Sequence, residues 1–496
     1  MNPNGKKIVI IGGGIAGLCA AVYAQKCGYQ AEVLEMHDMA GGLAMSWRRG
    51  AYTFETCLHW FFGSDPKGPM YSQWAEVFDI DCLTFVDLPE FARLETEDGD
   101  SLAIATDPER LEKELLRRAP QDANAIRRLT SAVRRLRTFK MPDPSKNWVE
   151  NAPALIGDIR SLLLLRQLTR ITCREYGQRF TDPLLRAFFS GGEMGGIPAM
   201  AIVFSIAWMS TDEAKYVVGG AQAIVRLIEE NLVRLGGRVR FKTKVERILV
   251  ENGVATGVAL AGGETIKADW VISAADGHAT IYEMLGGTYV DEKIDKAYRT
   301  MELFPSYVQV SLGAALDLRD EPRNVTRLLN SSLQIDPETA VKQVSFRIFN
   351  FDPTFAPAGK TAITCFLPTR AFAYWAQLRV DDPERYRDEK HRVAEAVIDT
   401  IEKRIPGIRA AIEVVDVSTP ASIARYTGNW KGSMEGWLPT PKTGFRPMSR
   451  TLPGLNKFMM IGQWVSPGGG LPSGLMTARP AVKAICKADH VSFTPR

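Results

Sequence analysis

KKIVIIGGGIAG, residues 6–17, is an apolar run that ends in glycines, and QAEVLE, residues 30–35, comes a short way on. Lys6–Ile11 is rich in β-branched residues and stops at Gly12, as a fully buried parallel strand does. Gly12, Gly14 and Gly17 supply the three glycines of G-x-G-x-x-G. The first permits a tight turn, the second lets backbone approach a pyrophosphate, and the third lets the next helix pack close to the strand. Ile15, Leu18, Val22 and Ala24 recur at helical spacing, and Gly28 suits a helix stop. Gln30–Glu35 reads as the second strand. It ends in an acid roughly 20 residues beyond the glycines, where a carboxylate accepts from a ribose diol and repels a 2′-phosphate. A glycine motif alone is weak. Placed after a strand, at a helix start and before an acidic strand end, it predicts a site for the ADP half of a dinucleotide.

The 496 residues are 45% hydrophobic and 24% charged, an ordinary globular balance with room for several domains. A net charge of +4 is too mild and too dispersed to argue for nucleic acid. MNPNGKK runs straight into the first strand, so no secretory leader is expected, and no apolar run reaches the ~18 residues of a spanning helix. Seven scattered cysteines without C-x-x-C favour reduced thiols in a cytoplasmic protein. The five histidines have no metal-ligand spacing, so no metal is expected.

Along the chain, Gly41–Gly42 falls where the second strand's exit passes under a dinucleotide. GAYTFETCLHWFFG comes next at 50–63, with Tyr52 and Phe54 alternating as in a half-buried strand. Residues 84–105 alternate in short β-like bursts, and Asp107 to about Lys140 reads as helical. The leucine-rich stretch 155–174, flanked by Arg160, Arg166 and Arg170, reads either as a helix lying on a membrane surface or as a bundle helix with snorkelling arginines. A glycine turn and an amphipathic helix open the block 216–275. Strands at Arg238–Phe241, Val245–Val250, Val254–Leu260 and Ala268–Ala275 complete it. Residues 286–450 form a second strand-rich region with a long charged helix at Asp382–Ile405. The last block, 458–487, gives a strand at Phe458–Ile461, the loop Gly468–Gly470 and a helix that Pro480 must enter early or kink. The N-terminus of that helix suits negative charge.

IGGGIAGL with Glu35, Gly41–Gly42, GAYTFETCLHWFFG, YVVGGAQAIVRLIEENLVRLGG, ADWVISAA, GNWKGSMEG and GQWVSPGGGLPSG together resemble the phytoene desaturase, carotenoid isomerase and retinol saturase group of the amine-oxidase-like flavoproteins. The resemblance spans nearly the whole chain. It implies an α/β fold with a discontinuous Rossmann-like FAD-binding domain (residues 1–80, 216–285 and 455–496) and an inserted α+β substrate domain (81–215 and 286–454). By family pattern Gly12, Gly14, Gly17 and Glu35 hold the adenosine and pyrophosphate, and Gly41, Gly42 and Leu43 pass beneath the ribityl chain. Gln463 and Gly468–Leu471 lie at the flavin end. Ile15, Ala16, Val245, Gly462, Gly469, Gly470 and Leu471 complete the expected cofactor set. Two departures stand out: Leu43 replaces a frequent arginine or lysine, and Glu55-Thr56-Cys57 replaces the usual aspartate and glycine before the histidine.

The implied activity is desaturation, saturation or isomerisation of a C–C or C=C bond of an apolar isoprenoid or polyene-like molecule by flavin hydride transfer. Peripheral membrane contact through 155–174 would give access to it. A proton donor beside the flavin would be His59, with Tyr52 and Glu55 behind it, because GAYTFETCLHW forms the first loop near the cofactor. A buried structural histidine is the alternative reading of His59. Two other functions fit the same fold, a flavin amine oxidase and a prenyl-group escort that does no flavin chemistry. The intact glycine fingerprint argues against the escort.

Overall fold

Ile8 to Ile11 are all buried, and consecutive side chains enter opposite layers. Ile8 and Ile10 join one hydrophobic core, Val9 and Ile11 another. A strand used on both faces must lie inside a sheet covered twice, which explains the uninterrupted apolar run. Residues 5–56, 58–139 and 158–495 are described by the structure, a computed structural model.

That sheet has five parallel strands, in spatial order Arg238–Arg240, Gln30–Leu34, Lys7–Ile11, Trp270–Ser273 and Phe458–Met460. Ile10 pairs with Val33 on one side and Ile272 on the other, and Ile272 pairs with Met459. Front, middle and tail of the chain therefore share one ladder. Helices Ile15–Lys26, Gly220–Arg234 and Gly470–Ala488 cover one face through Leu18, Val22, Ile224, Ile228, Leu475 and Val482. A three-stranded antiparallel sheet (Val245–Glu251, Val254–Leu260 and Thr265–Lys267) covers the other through Ile248, Val258 and Ile266. Its first hairpin turns at Asn252 and Gly253, both at positive φ, as a two-residue hairpin loop requires. Arg238–Arg240 is not part of that meander but the edge of the parallel sheet.

The second sheet has seven strands, ordered Ile412–Ser418, Ser306–Ala314, Thr361–Thr369, Thr339–Ile348, Asn324–Asp336, Glu90–Thr96 and Ser101–Ala105. Helices Phe372–Asp381 and Pro383–Glu402 pack its back through Trp375, Val393, Val397 and Ile401. Its front looks toward the first sheet. The continuous helix expected from Asp107 is two helices, Pro108–Arg118 and Ala123–Arg137. Pro120 lacks an N–H, and Ala119 before it leaves the helical region at φ −128°, ψ 67°. Lys140, the expected end of that helix, lies outside the described residues, as do residues 155–157 of the leucine-rich stretch. The rest of that stretch forms a helix over Ile159–Thr169 that rests on Ala199–Met209 through one side. Among the described residues no helix is long and apolar enough to cross a membrane.

Candidate active site

One cavity of about 1500 Å³ runs between the two sheets. One part of its wall is built by the glycine turn. Gly12 has φ +97°, and its N–H donates to Leu34 O at 2.9 Å. A Cβ on Gly17 would stand 2.0 Å from Gly12 O, so only glycine lets the helix close onto the turn there. A Cβ on Gly14 would meet nothing nearer than 3.7 Å. Glycine at 14 therefore serves not the packing but the open space beyond it. Gly41 crosses this turn, its N–H donating to Gly13 O at 2.9 Å. Two bare backbones face the cavity there, and no side chain caps the helix that starts at Ile15. Its first N–H groups are left for an anion.

Glu35 is 7% exposed. Its Oε2 accepts from Gly13 N–H at 2.7 Å and its Oε1 from His37 N–H at 2.8 Å. A carboxylate has about four acceptor directions. Two remain, and because Glu35 lines the cavity they suit a ribose diol placed there. The tail builds the other half of the wall. Gly468, Gly469 and Gly470 have φ of +99°, +55° and +77°, a run that side chains rarely adopt, and the helix they open has no side-chain cap. A Cβ on Gly474 would be 2.8 Å from Ile15 Cγ2, and one on Gly462 would be 3.4 Å from Ala16 Cβ. The two helix N-termini thus meet on one cavity. One suits a pyrophosphate, the other the negative charge that a reduced flavin carries at its pyrimidine end. These residues fit FAD.

All of the expected cofactor residues line this cavity except Gly17, whose part is the helix–turn contact. The three candidate acids separate. His59 lines the cavity and is exposed, so it is not the buried structural histidine of the alternative reading. Arg347 donates to its Nδ1, to Leu58 O, and through Nε to Asn324 Oδ1 at 3.1 Å. A guanidinium only donates, so Nδ1 is the acceptor and the neutral ring carries its proton on Nε2. Tyr52 and Glu55 do not reach the cavity. Tyr52 lies against Gly313 of the second sheet, and its OH donates to Glu413 at 2.7 Å. Burial, and next the bond to Glu413, hold its phenol well above the usual range. Glu55 is 1% exposed and caps a helix: it accepts from Ala221 N–H at 3.0 Å at the start of Gly220–Arg234. Three apart on one strand, the two side chains leave by opposite faces, and each is taken up by a structural partner away from the cavity.

Other cavity residues were not singled out from the sequence. Ser345 and Arg347 alternate with Val344, Phe346 and Ile348, so the period-2 pattern of VSFRI already puts them on one face. Glu435, in GNWKGSMEG, lines the cavity beside the tail glycines: a Cβ on Gly469 would be 2.6 Å from Glu435 Cβ. Burial pushes its carboxyl up to about 7. Nothing in its spacing marks it, because a loop has no period.

A family model for flavin-containing amine oxidoreductases matches residues 15–486, and the chain belongs to that family. It is an FAD-dependent oxidoreductase. A 4,4'-diapophytoene desaturase (4,4'-diapolycopene-forming) of Methylomonas is 24% identical, with 99% of this chain and 97% of that protein covered. A chloroplastic prolycopene isomerase of Daucus carota is 23% identical over 95% of this chain and 79% of that one. Among solved structures, an oxidoreductase from Methanosarcina mazei superposes with a TM-score of 0.60 at 16% identity, covering 96% of this chain and 100% of that one. Cyclohexylamine oxidase from Brevibacterium oxydans does so with 0.59 at 14%, covering 98% and 99%. At these identities the structural likeness concerns the fold.

Proposed function

We propose that this FAD-dependent member of the flavin-containing amine oxidoreductases desaturates, saturates or isomerises a carbon–carbon bond of an isoprenoid or polyene-like molecule. The observation that carries this reading is the aromatic part of the cavity, a chamber walled by Phe62, Trp208, Trp60, Phe91, Ile202 and Phe366. Phe62 and Trp208 stack at 4.0 Å between centroids. Such a wall offers contact area to a long apolar chain and excludes water from it. The desaturase and isomerase relatives support the same substrate class.

Bound there, FAD would supply hydride transfer to or from a substrate carbon. The chain's own residues do the rest. The N-terminus of Gly470–Ala488 favours negative charge gathering at the flavin end. The aromatic walls hold the reacting carbons in register. His59 holds its proton on Nε2, and Arg347 fixes that tautomer. Peripheral membrane contact belongs to the same proposal. On Ile159–Thr169 the side chains of Ile159 and Leu163 are 56% and 57% exposed, one turn apart, beside exposed Arg160 and Arg166. Apolar residues between arginines suit an anionic lipid surface.

The test is anaerobic. The yellow protein is mixed with polyenes, with quinones, and separately with primary amines, and the flavin bands are monitored. Bleaching by a polyene, or recovery of reduced flavin on adding one, supports the proposal. Bleaching by amines alone overturns it in favour of an amine oxidase.

A further inference from the structure

The chamber wall is not uniformly apolar. On the second sheet Asn324 pairs with Arg347 and Thr326 with Ser345 across neighbouring antiparallel strands. Directly opposed residues point to the same face. These four side chains therefore form one polar block, two residues by two, and all four line the cavity. Their neighbours in sequence, Val325, Val344, Phe346 and Ile348, point into the core behind the sheet. Thr326 and Ser345 share a hydrogen bond of 2.9 Å between their hydroxyls. One hydroxyl donates in that bond, so the other keeps its O–H for a further acceptor. Arg347 is 8% exposed and is held by His59, Leu58 O and Asn324. His59 lines the same cavity, with its Nδ1 taken up by Arg347. A cation and a hydroxyl pair thus share one wall of an aromatic chamber.

A plain hydrocarbon seated there would strip water from the hydroxyl pair and give nothing in return, which is costly for polar groups. We propose that the substrate is an oxygenated polyene whose acceptor oxygen, a carboxylate in preference to a carbonyl, seats on the block formed by Arg347 and the Thr326–Ser345 pair. This rests on the polyene function proposed for the same chamber and narrows it. The apolar tail lies along Trp208, Phe62 and Phe366, and the oxygen end sets which carbon–carbon bond lies over the flavin. A guanidinium already clamped by three acceptors loses little freedom when a ligand arrives, so it works as a fixed anchor.

The experiment uses the full-length FAD-loaded protein without oxygen and reads binding from perturbation of the flavin bands. The probes are all-trans retinoic acid, retinal, and the methyl-terminated hydrocarbon with the same polyene chain. The acid is expected to bind about 10- to 100-fold more tightly than the hydrocarbon, the margin of a hydrogen bond to a charged group, with the aldehyde between. Arg347→Met should erase the preference of the acid over the hydrocarbon. Should that variant fail to hold FAD, Ser345→Ala, which keeps the guanidinium, is expected to lose part of the preference for the aldehyde. Equal affinity of the unmodified protein for acid and hydrocarbon overturns this inference and leaves the polyene function intact. Silence with all three probes, together with a response to amines, overturns both.

Discussion

Gly14→Ala and Gly17→Ala separate two roles that the motif combines. At position 17 an added methyl would lie 2.0 Å from Gly12 O, whereas a carbon–oxygen contact needs about 3.2 Å or more. The helix Ile15–Lys26 would have to retreat by about 1 Å from the turn, and overpacking of this kind costs about 1–3 kcal/mol. The helix spans the core between the first strand and the tail helix, so the loss should appear in the apoprotein as a lower melting temperature. At position 14 the methyl meets nothing within 3.7 Å, and φ −70° with ψ 176° is open to any residue. The apoprotein should melt where the unmodified one does, or slightly above, since alanine restricts the unfolded chain. FAD, however, must bring its pyrophosphate into the space that the methyl takes. Losing one charge-assisted hydrogen bond at the helix N-terminus costs about 1.5–3 kcal/mol, or about 10- to 150-fold in affinity. Titration of deflavinated protein with FAD, paired with thermal melts of both apo variants, measures both quantities. A Gly14→Ala protein that binds FAD with unchanged affinity would refute the placement of the pyrophosphate, and an unshifted apo melt for Gly17→Ala would refute the packing account.

Glu35→Gln leaves an amide facing the two N–H groups of Gly13 and His37, where one of them must lose its acceptor. FAD affinity should fall about 10- to 100-fold, seen as flavin separating from protein on gel filtration. Glu55→Gln tests a buried acid whose carboxyl burial pushes up from 4.5 to about 7. The folded state holds this proton more tightly than the unfolded chain, so stability falls as pH rises from about 4.5 to about 7 and is level above; the span corresponds to about 3 kcal/mol. The glutamine variant should lose that slope, so its melting temperature gains on the unmodified protein as pH rises; parallel curves would contradict the assignment. Glu435→Gln concerns the wall beside the tail glycines. Ionisation near pH 7 adds negative charge there, which opposes flavin reduction. The flavin midpoint potential should fall more steeply with pH through that range in the unmodified protein than in the variant, as dye-equilibrated reduction would show.

The first strand, the glycine turn and Glu35 were legible because their chemistry is local: each element must satisfy a period, a turn or a close approach within a few residues. The tail loop was legible for the same reason, since three successive glycines at positive φ have few other uses. Tyr52 and Glu55 were misplaced because sequence distance from the cofactor loop says nothing about which way a strand faces. Tyr52 turned toward Gly313, and Glu55 toward the start of Gly220–Arg234, a helix 166 residues away at Ala221. The polar block lay half in view. VSFRI announced which side Arg347 shares with Ser345, but only the register with Asn324 and Thr326 shows four polar side chains gathered on one wall. Long-range pairing is what a single sequence does not print.

The cofactor site is also the place where the two ends of the chain are fastened together. Ile15 and Gly474 interlock so closely that a Cβ on the glycine would be 2.8 Å from Ile15 Cγ2, and Gly462 N–H donates to Thr477 Oγ1 at 2.8 Å within the same wall. Neither half of the cavity has a complete surface until the tail helix docks on the first helix. A ligand that binds only the docked state stabilises it by mass action, about 2.7 kcal/mol at a hundredfold excess over Kd. With the proposed placement of FAD, the cofactor would act on the fold as well as on the substrate, because the contacts between Ile15–Lys26 and Gly470–Ala488 that would present the two helix N-termini to it are also the contacts that tie the front of the chain to its tail. The chamber, by contrast, is walled by the second sheet and the Ala199–Met209 helix, neither of which takes part in that closure. Substrate preference can therefore change at Arg347, Ser345 or Trp208 without disturbing how the cofactor holds the chain together.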